Sequence, residues 1–319
     1  MMFGSNTLGN GWVVPADDAA ITAATQLLRA GQIVAIPTET VYGLAADAQN
    51  AEAVAHIYAA KGRPDFNPLI VHVRDRKAAE KLGVFNATAQ QLAAAFWPGP
   101  LTLVLPLQPD APVARAVTAG LPTIALRCPA HPVMQALLIK SDLSLAAPSA
   151  NPSGGISPTR ADHVLKGLGG AVPMILDGGP CSAGLESTIV AVRDDGWQVL
   201  RPGPVTSVEI ENVLGCAPLP QENASIEAPG QMASHYAPSK PVRLDVTTPE
   251  LDEYLIGFGA VAGDANLSAT GDLAQAAANL FEVLHNADAS EAKTIAFAPI
   301  PHEGIGIAIN DRLSRAAVR

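Results

Sequence analysis

Two hydrophobic periods alternate along the chain. Residues 17–30, DDAAITAATQLLRA, put Ile21, Ala24, Leu27 and Leu28 on one stripe, the spacing of a helix laid on a core. Asp17 or Asp18 is placed to cap this helix and Gly31 to end it. Short apolar runs follow at QIVAI, LIVHV, LTLVL, TIALR, LSLAA, MILD, STIVAV and QVLR, and these read as strands. Helical spacing returns between several of them, over 51–61, 88–96, 131–139 and 159–167. Strands interleaved with helices over about 200 residues predict an α/β domain built on an open, twisted sheet. The RDDGW link between STIVAV and QVLR is short enough for a hairpin, so the sheet is expected to be mixed.

The pattern breaks at residues 215–241, where five prolines and no apolar period mark an extended linker. Beyond it, VRLDV, LIGFGA and TIAFAP read as strands around a helix at 271–286, whose stripe is Leu273, Ala277, Leu280, Phe281 and Leu284. The predicted organisation is a large domain over 1–214, a linker over 215–241 and a small βα, Rossmann-like domain over 242–319.

Strand side chains alternate between faces, so the parity of each polar residue is informative. In TIALR, Thr123 and Arg127 share a face; in LIVHV, His72 lies with Ile70; in QVLR, Arg201 lies with Val199. If the stretch VAIPTETVYGLAADA stays extended, Thr38 and Thr40 project together and Glu39 points away. One such residue would ordinarily face solvent. Recurrence over four strands predicts a shared concave site opposite the main core.

Two loops add to it. YAAKGRPDFNPL offers Lys61, Arg63 and Asn67 between stiffening prolines, a donor set suited to a polyphosphate, although Lys61 also suits a helix C-terminus. APSANPSGGISPTRADHV is dense in hydroxyls, and Ser157 is placed to cap a helix starting at Pro158 or Thr159. Neither loop has the order of a P-loop or a dinucleotide fingerprint, so a nucleotide would be held in another way.

Composition narrows the picture. The chain has 319 residues, 48% hydrophobic, and a formal net charge of −10, which disfavours nonspecific coating of nucleic acid. Cys128, Cys181 and Cys216 form no C-x-x-C pair, and the histidines show no metal-ligand spacing, which argues against disulfide and zinc frameworks. A reducing cytoplasm and no membrane span are expected. No G-x-S-x-G elbow is present, and Cys181 lacks the surroundings of a catalytic thiol. The EST at 186–188 repeats the pairing of carboxylate and hydroxyls seen at 38–40.

Taken together, PTETVYGL, KGRPDFNPLIVH, WPGPLT, TIALRCPAH, APSAN, SPT, ESTIV and RPGPV resemble the YrdC/Sua5 family of threonylcarbamoyl-AMP synthases, in that family's order over residues 15–210. APGQMASHYAP and the segments beyond it resemble the linker and C-terminal domain of the long, Sua5-type members. The resemblance implies an enzyme that joins L-threonine, bicarbonate and ATP into threonylcarbamoyl-adenylate and pyrophosphate. The product would pass to a downstream tRNA threonylcarbamoyl transferase that modifies adenosine 37; direct contact with tRNA is left open.

By the same resemblance, Thr40, His72, Ala147 and Ser187 would contact threonine or its carbamate. Lys61, Arg63 and Asn67 would hold the triphosphate, with Lys61 and Arg63 as the catalytic cations. Thr123, Arg127, Ser149, Ser157 and Arg201 would line the nucleotide side, and His235 and Tyr236 would reach in from the linker as a lid. Mg²⁺ is expected only as an ion carried by the ATP phosphates. Where relatives often carry basic or aromatic residues before the His-Tyr pair, this chain has QMAS, which argues against a phosphate contact from that segment but not against its role as a lid. The competing reading is an RNA-binding module with a basic concave face, weakened by the scarcity of aromatic residues, at 4%.

Overall fold

The computed structural model describes residues 12–64, 66–220, 227–229 and 235–318. Among these, the strands β1 (Trp12–Pro15), β2 (Val34–Ile36), β3 (Gly43–Asp47), β4 (Ile70–His72), β5 (Leu101–Pro106), β6 (Thr123–Arg127), β7 (Leu145–Ala146), β8 (Met174–Asp177), β9 (Thr188–Val192) and β10 (Trp197–Arg201) form one sheet. Its order is β1-β8-β2-β3-β7-β4-β6-β5-β9-β10. Parallel pairs such as β4 with β6 alternate with antiparallel ones such as β5 with β6, so the sheet is mixed, as the short links require. The RDDGW turn joins β9 to β10 as an antiparallel hairpin.

Helices cover both faces. Helix α1 (Asp18–Arg29) is capped by Asp17, whose carboxylate accepts from the Ala20 amide at 2.8 Å. Its Ile21, Ala24 and Leu28 meet Leu137 and Leu138 of the helix spanning Pro132–Ser141 over one face of the β2 end. The helix over Ala51–Lys61 contributes Val54 and Ile57 to the main core on the other face. On the β4–β6–β5–β9–β10 half, the face opposite the main core carries Ile70, Val104, Ala125 and Leu200, joined by Ala228. His72 and Arg127 lie on this face with Ile70 and Ala125, as their parity predicts. Arg201 joins them only because a register shift between Val199 and Arg201 breaks its expected parity with Val199, which packs on the main core.

A second sheet, β11 (Val242–Arg243), β12 (Glu253–Gly257), β13 (Ala265–Asn266) and β14 (Thr294–Phe297), is parallel throughout with order β11-β14-β12-β13. Two helices pack in its core, over Leu273–Ala289 and over Gly306–Ala317. That core also takes in Val41, Ile156 and Leu185, which belong to loops of the large sheet's domain. No helix among the described residues is long and apolar enough to cross a membrane.

Two local expectations change. The stretch after Ile36 does not stay extended, because β2 turns back into antiparallel β3. The Thr38 hydroxyl makes this turn: it donates to the Val41 carbonyl at 2.6 Å and accepts from the Val41 amide at 3.2 Å. Ser157 does not cap a helix either. The helix after it spans Ala161–Leu168 and begins at Arg160, which supplies no side-chain cap.

Candidate active site

The carboxyl ends of β4 and β6, the turn at 38–41, the 147–149 loop and the start of β9 surround a cleft of about 540 Å³, counted with its open mouth. Parallel pairing sets His72 and Arg127 side by side in register. Arg127 is buried and uses each side of its guanidinium: Nε donates to Gly99 O at 3.1 Å, Nη1 to Thr40 Oγ1 at 2.8 Å and Nη2 to Glu39 Oε1 at 2.5 Å. Burial alone would raise the Glu39 pKa, but the charge and hydrogen bond of Arg127 outweigh it and hold the carboxyl below its ordinary value. Glu39 is thus a scaffold group, and Thr38 and Thr40 are joined hydroxyl to hydroxyl at 2.8 Å.

His72 has the opposite electrostatics. Burial, and then the Arg127 charge, lower its pKa to about 3, so its imidazole is neutral near neutral pH. Across the cleft, Ser187 Oγ meets Thr102 Oγ1 at 2.7 Å, and Arg201 donates to Ser187 O at 2.9 Å and to Ser187 Oγ at 3.2 Å. Arg63 closes a third side, its Nε and Nη2 fixed by Asn67 O at 3.3 Å and Pro68 O at 2.9 Å. Burial pulls its pKa down to about 10, which leaves it charged at neutral pH. Among the described residues neither Arg63 nor Arg201 is ion-paired, so the cleft carries uncompensated positive charge in an acidic protein. Such a site takes anions.

Of the residues expected here, Thr40, Arg63, His72, Arg127, Ala147, Ser149, Ser187, Arg201 and His235 line the cleft. Five others do not. Thr123 shares a face with Arg127 but lies at the far end of β6, about 13 Å away along a strand. Lys61 is buried beneath the 149–151 loop, its Nζ donating to Ser149 O and Asn151 O, each at 2.5 Å. Burial, and then the charge of Arg63, draw its pKa well below the ordinary lysine value. Asn67 lends its backbone carbonyl to Arg63 and Tyr58. Ser157 donates its hydroxyl to Glu186, and Tyr236 is fully buried behind His235 against Phe281.

Residues not expected as ligands also line the cleft, among them Thr38, Glu186 and Pro229. Glu186 is buried and pairs with Arg312 Nε at 2.8 Å, a residue from the last helix of the second domain. One signal could have flagged Arg312 in the sequence. It falls on the apolar stripe of its helix, between Ile309 and Leu313 and Ala316, where a cation needs a buried partner. Among the described residues no group of three or more His, Cys, Asp or Glu is placed to hold a metal, and both cleft carboxylates are already ion-paired.

Comparison with known proteins agrees with this architecture. A family model described as Sua5_yciO_yrdC, telomere recombination, matches residues 26–203. A second, described as the C-terminal domain of threonylcarbamoyl-AMP synthase, matches 205–318. Threonylcarbamoyl-AMP synthase of Bacillus subtilis is 42% identical, with 94% of each chain covered. The enzyme of that name from Pyrococcus abyssi is 37% identical over 93% of this chain and 94% of its own. The crystal structure of P. abyssi Sua5 complexed with L-threonine superposes with a TM-score of 0.86 at 35% identity, covering 96% of both chains.

Proposed function

This chain belongs to the Sua5–YciO–YrdC family, and from that premise we propose that it is an L-threonylcarbamoyladenylate synthase. The observation that carries the proposal is the pairing, in one cleft, of two guanidiniums without carboxylate partners among the described residues and a neutral imidazole flanked by hydroxyls. Arg63 and Arg201 take the triphosphate through charge-assisted hydrogen bonds. Thr40, Ser187 and His72 orient threonine and its carbamate. His72 adds no charge beside that anion, because it stays neutral down to about pH 3. Ser149 and Ala147 shape the opposite wall, while Lys61 and Asn67 act one layer back by fixing the loops that carry Ser149 and Arg63. His235, backed by Tyr236, and Pro229 form the part of the linker that covers the cleft.

The chemistry needs no protein nucleophile. The threonine amine adds to bicarbonate and water leaves, giving N-carboxythreonine. An oxygen of the new carboxylate bonds to the α-phosphorus as the bond from that phosphorus to the pyrophosphate oxygen breaks. Positioning the two substrates and neutralising charge on the leaving pyrophosphate supply the rate. Mg²⁺ enters as a counter-ion on the ATP phosphates. The product is an activated threonylcarbamoyl group for transfer to adenosine 37 of tRNA by a downstream transferase.

The test is pyrophosphate release from ATP with threonine and bicarbonate each omitted in turn. Release that requires both, with threonylcarbamoyl-AMP identified by mass, is the expected result. An unchanged rate without threonine would refute the assignment.

A further inference from the structure

The second domain contacts the cleft through one buried charge. Arg312 is 1% exposed and extends from the Gly306–Ala317 helix to Glu186, which lines the cleft. Its Nε donates to Glu186 Oε2 at 2.8 Å and its Nη1 to Asp311 Oδ2 at 2.7 Å. The guanidinium also lies over the Tyr236 ring, 5.2 Å from its centroid, directly behind His235. Glu186 spends its other oxygen on the Ser157 hydroxyl. The next residue, Ser187, is held by Arg201 and Thr102.

A salt bridge buried this deeply is weak evidence of added stability, since packed apolar side chains would dock the domain at lower cost. Apolar docking is in fact present nearby. Val41, Ile156 and Leu185 enter the second domain's core. Gly184 approaches the Leu273–Ala289 helix so closely that a Cβ would sit 2.5 Å from Ala278 Cα. A second ion pair, Arg160 Nε to Glu282 Oε2 at 2.6 Å, links the domains away from the cleft. What Arg312 adds to these contacts is the orientation of a carboxylate that faces the substrates.

We propose that Arg312 is a positioning residue of the active site, acting through Glu186 and Tyr236, so that the second domain supplies part of the catalytic geometry. The inference rests on the synthase reading above. Glu186 is faced by Arg312 from the last helix, by Arg201 from β10, by Ser157, and by His235 and Tyr236 from the linker, while Asp311 pairs with Arg312. Burial pushes the Glu186 carboxyl up, but Arg312, then Arg201 and the hydrogen bond from Ser157, hold it below its ordinary value. Without Arg312 the largest influence opposing burial is lost, so Glu186 takes a proton at higher pH than in the wild-type protein.

The experiment compares full-length Arg312→Met, Arg312→Lys, Glu186→Gln, the double variant Arg312→Met with Glu186→Gln, and Glu282→Gln, which weakens docking away from the cleft. Pyrophosphate release is followed against threonine concentration and pH, alongside thermal melting. Arg312→Met is expected to lose at least about tenfold in kcat/KM for threonine. Its acid limb should move up by about one pH unit. Arg312→Lys should recover part of the loss, Glu282→Gln should stay within about twofold of wild type, and the double variant should be no worse than the poorer single one. A folded Arg312→Met with wild-type kcat/KM and an unmoved acid limb would overturn the proposal. So would an equal loss in Glu282→Gln at the same melting temperature. If Arg312→Met does not fold, Arg312→Lys decides: wild-type kinetics and acid limb there overturn the inference. A wild-type protein without threonine-dependent release would instead overturn the synthase reading and this inference with it.

Discussion

Arg127 and Arg63 show how differently two arginines of one cleft are used. Arg127 is neutralised by Glu39 and locked by Thr40 and Gly99, so its charge serves the scaffold. Removing one partner of such a buried pair leaves the other uncompensated. Glu39→Ala is therefore expected to cost about 3–5 kcal/mol, read as a lower denaturation midpoint. Arg63 donates to the Asn67 and Pro68 carbonyls and has no carboxylate partner among the described residues, so its charge is available to a ligand. Arg63→Ala should slow pyrophosphate release at saturating substrates by at least about tenfold, or about 1.4 kcal/mol of barrier, in a folded protein. Wild-type turnover in that variant would remove Arg63 from the reaction. Its neighbour Lys61, equally prominent in the KGRPDFNPL segment, has its ammonium on the Ser149 and Asn151 carbonyls. Spacing shows that two cations are near each other, not which one reaches the open side.

Among the elements, strand ends and turns do most to build the cleft. β4 and β6 run parallel, so His72 and Arg127, each at the carboxyl end, arrive at one edge together. Alternation in the sequence reveals the shared face, and it holds for Thr123 as well as Arg127. Alternation does not say which end of the strand opens on the cleft, and Thr123 falls at the wrong one. The 38–41 turn was hidden because the threonine hydroxyls replace the usual glycine or proline signal. Between the domains, the decisive contact is an approach of backbones. Gly184 has φ +68°, and a Cβ there would meet the Ala278 carbonyl oxygen at 2.5 Å. Gly184→Ala is expected to destabilise the protein by more than about 1–2 kcal/mol, the cost of the left-handed conformation alone. Hydrogen exchange should quicken in the Leu273–Ala289 helix, and exchange unchanged there would contradict a close-packed domain contact.

Across the whole molecule, five of the seven histidines sit where burial disfavours the imidazolium. Burial lowers the pKa of His72 and His235 to about 3 and of His163 to about 4, and it lowers those of His131 and His285 too. His163 and His285 stack across the domain boundary with centroids 3.9 Å apart. In the unfolded chain these groups take protons near the ordinary value of 6.5, while the folded protein resists doing so. Their contribution to stability is thus present above about pH 6.5 and is lost as pH falls toward the folded values. The melting temperature should fall steadily between about pH 7 and about pH 5, before most carboxylates titrate. A flat profile across that window would show that these imidazoles are not withheld from protons. The net charge of −10 foreshadows none of this, since totals do not report where charge is concentrated.

The sequence by itself marked eight of the ten strands of the large sheet, a helix start at Asp17 or Asp18, the hairpin at RDDGW and the shared face of His72 and Arg127. Each depends on side-chain spacing within a few residues, which hydrophobic period and turn chemistry record directly. The family motifs added the set of residues worth following. Only the tertiary structure decided that Thr123, Lys61, Ser157 and Tyr236 stay off the cleft wall, and that Arg312 reaches Glu186 from 126 positions away. Those outcomes turn on strand order and on which buried charge finds which partner, and neither leaves a local trace in the chain.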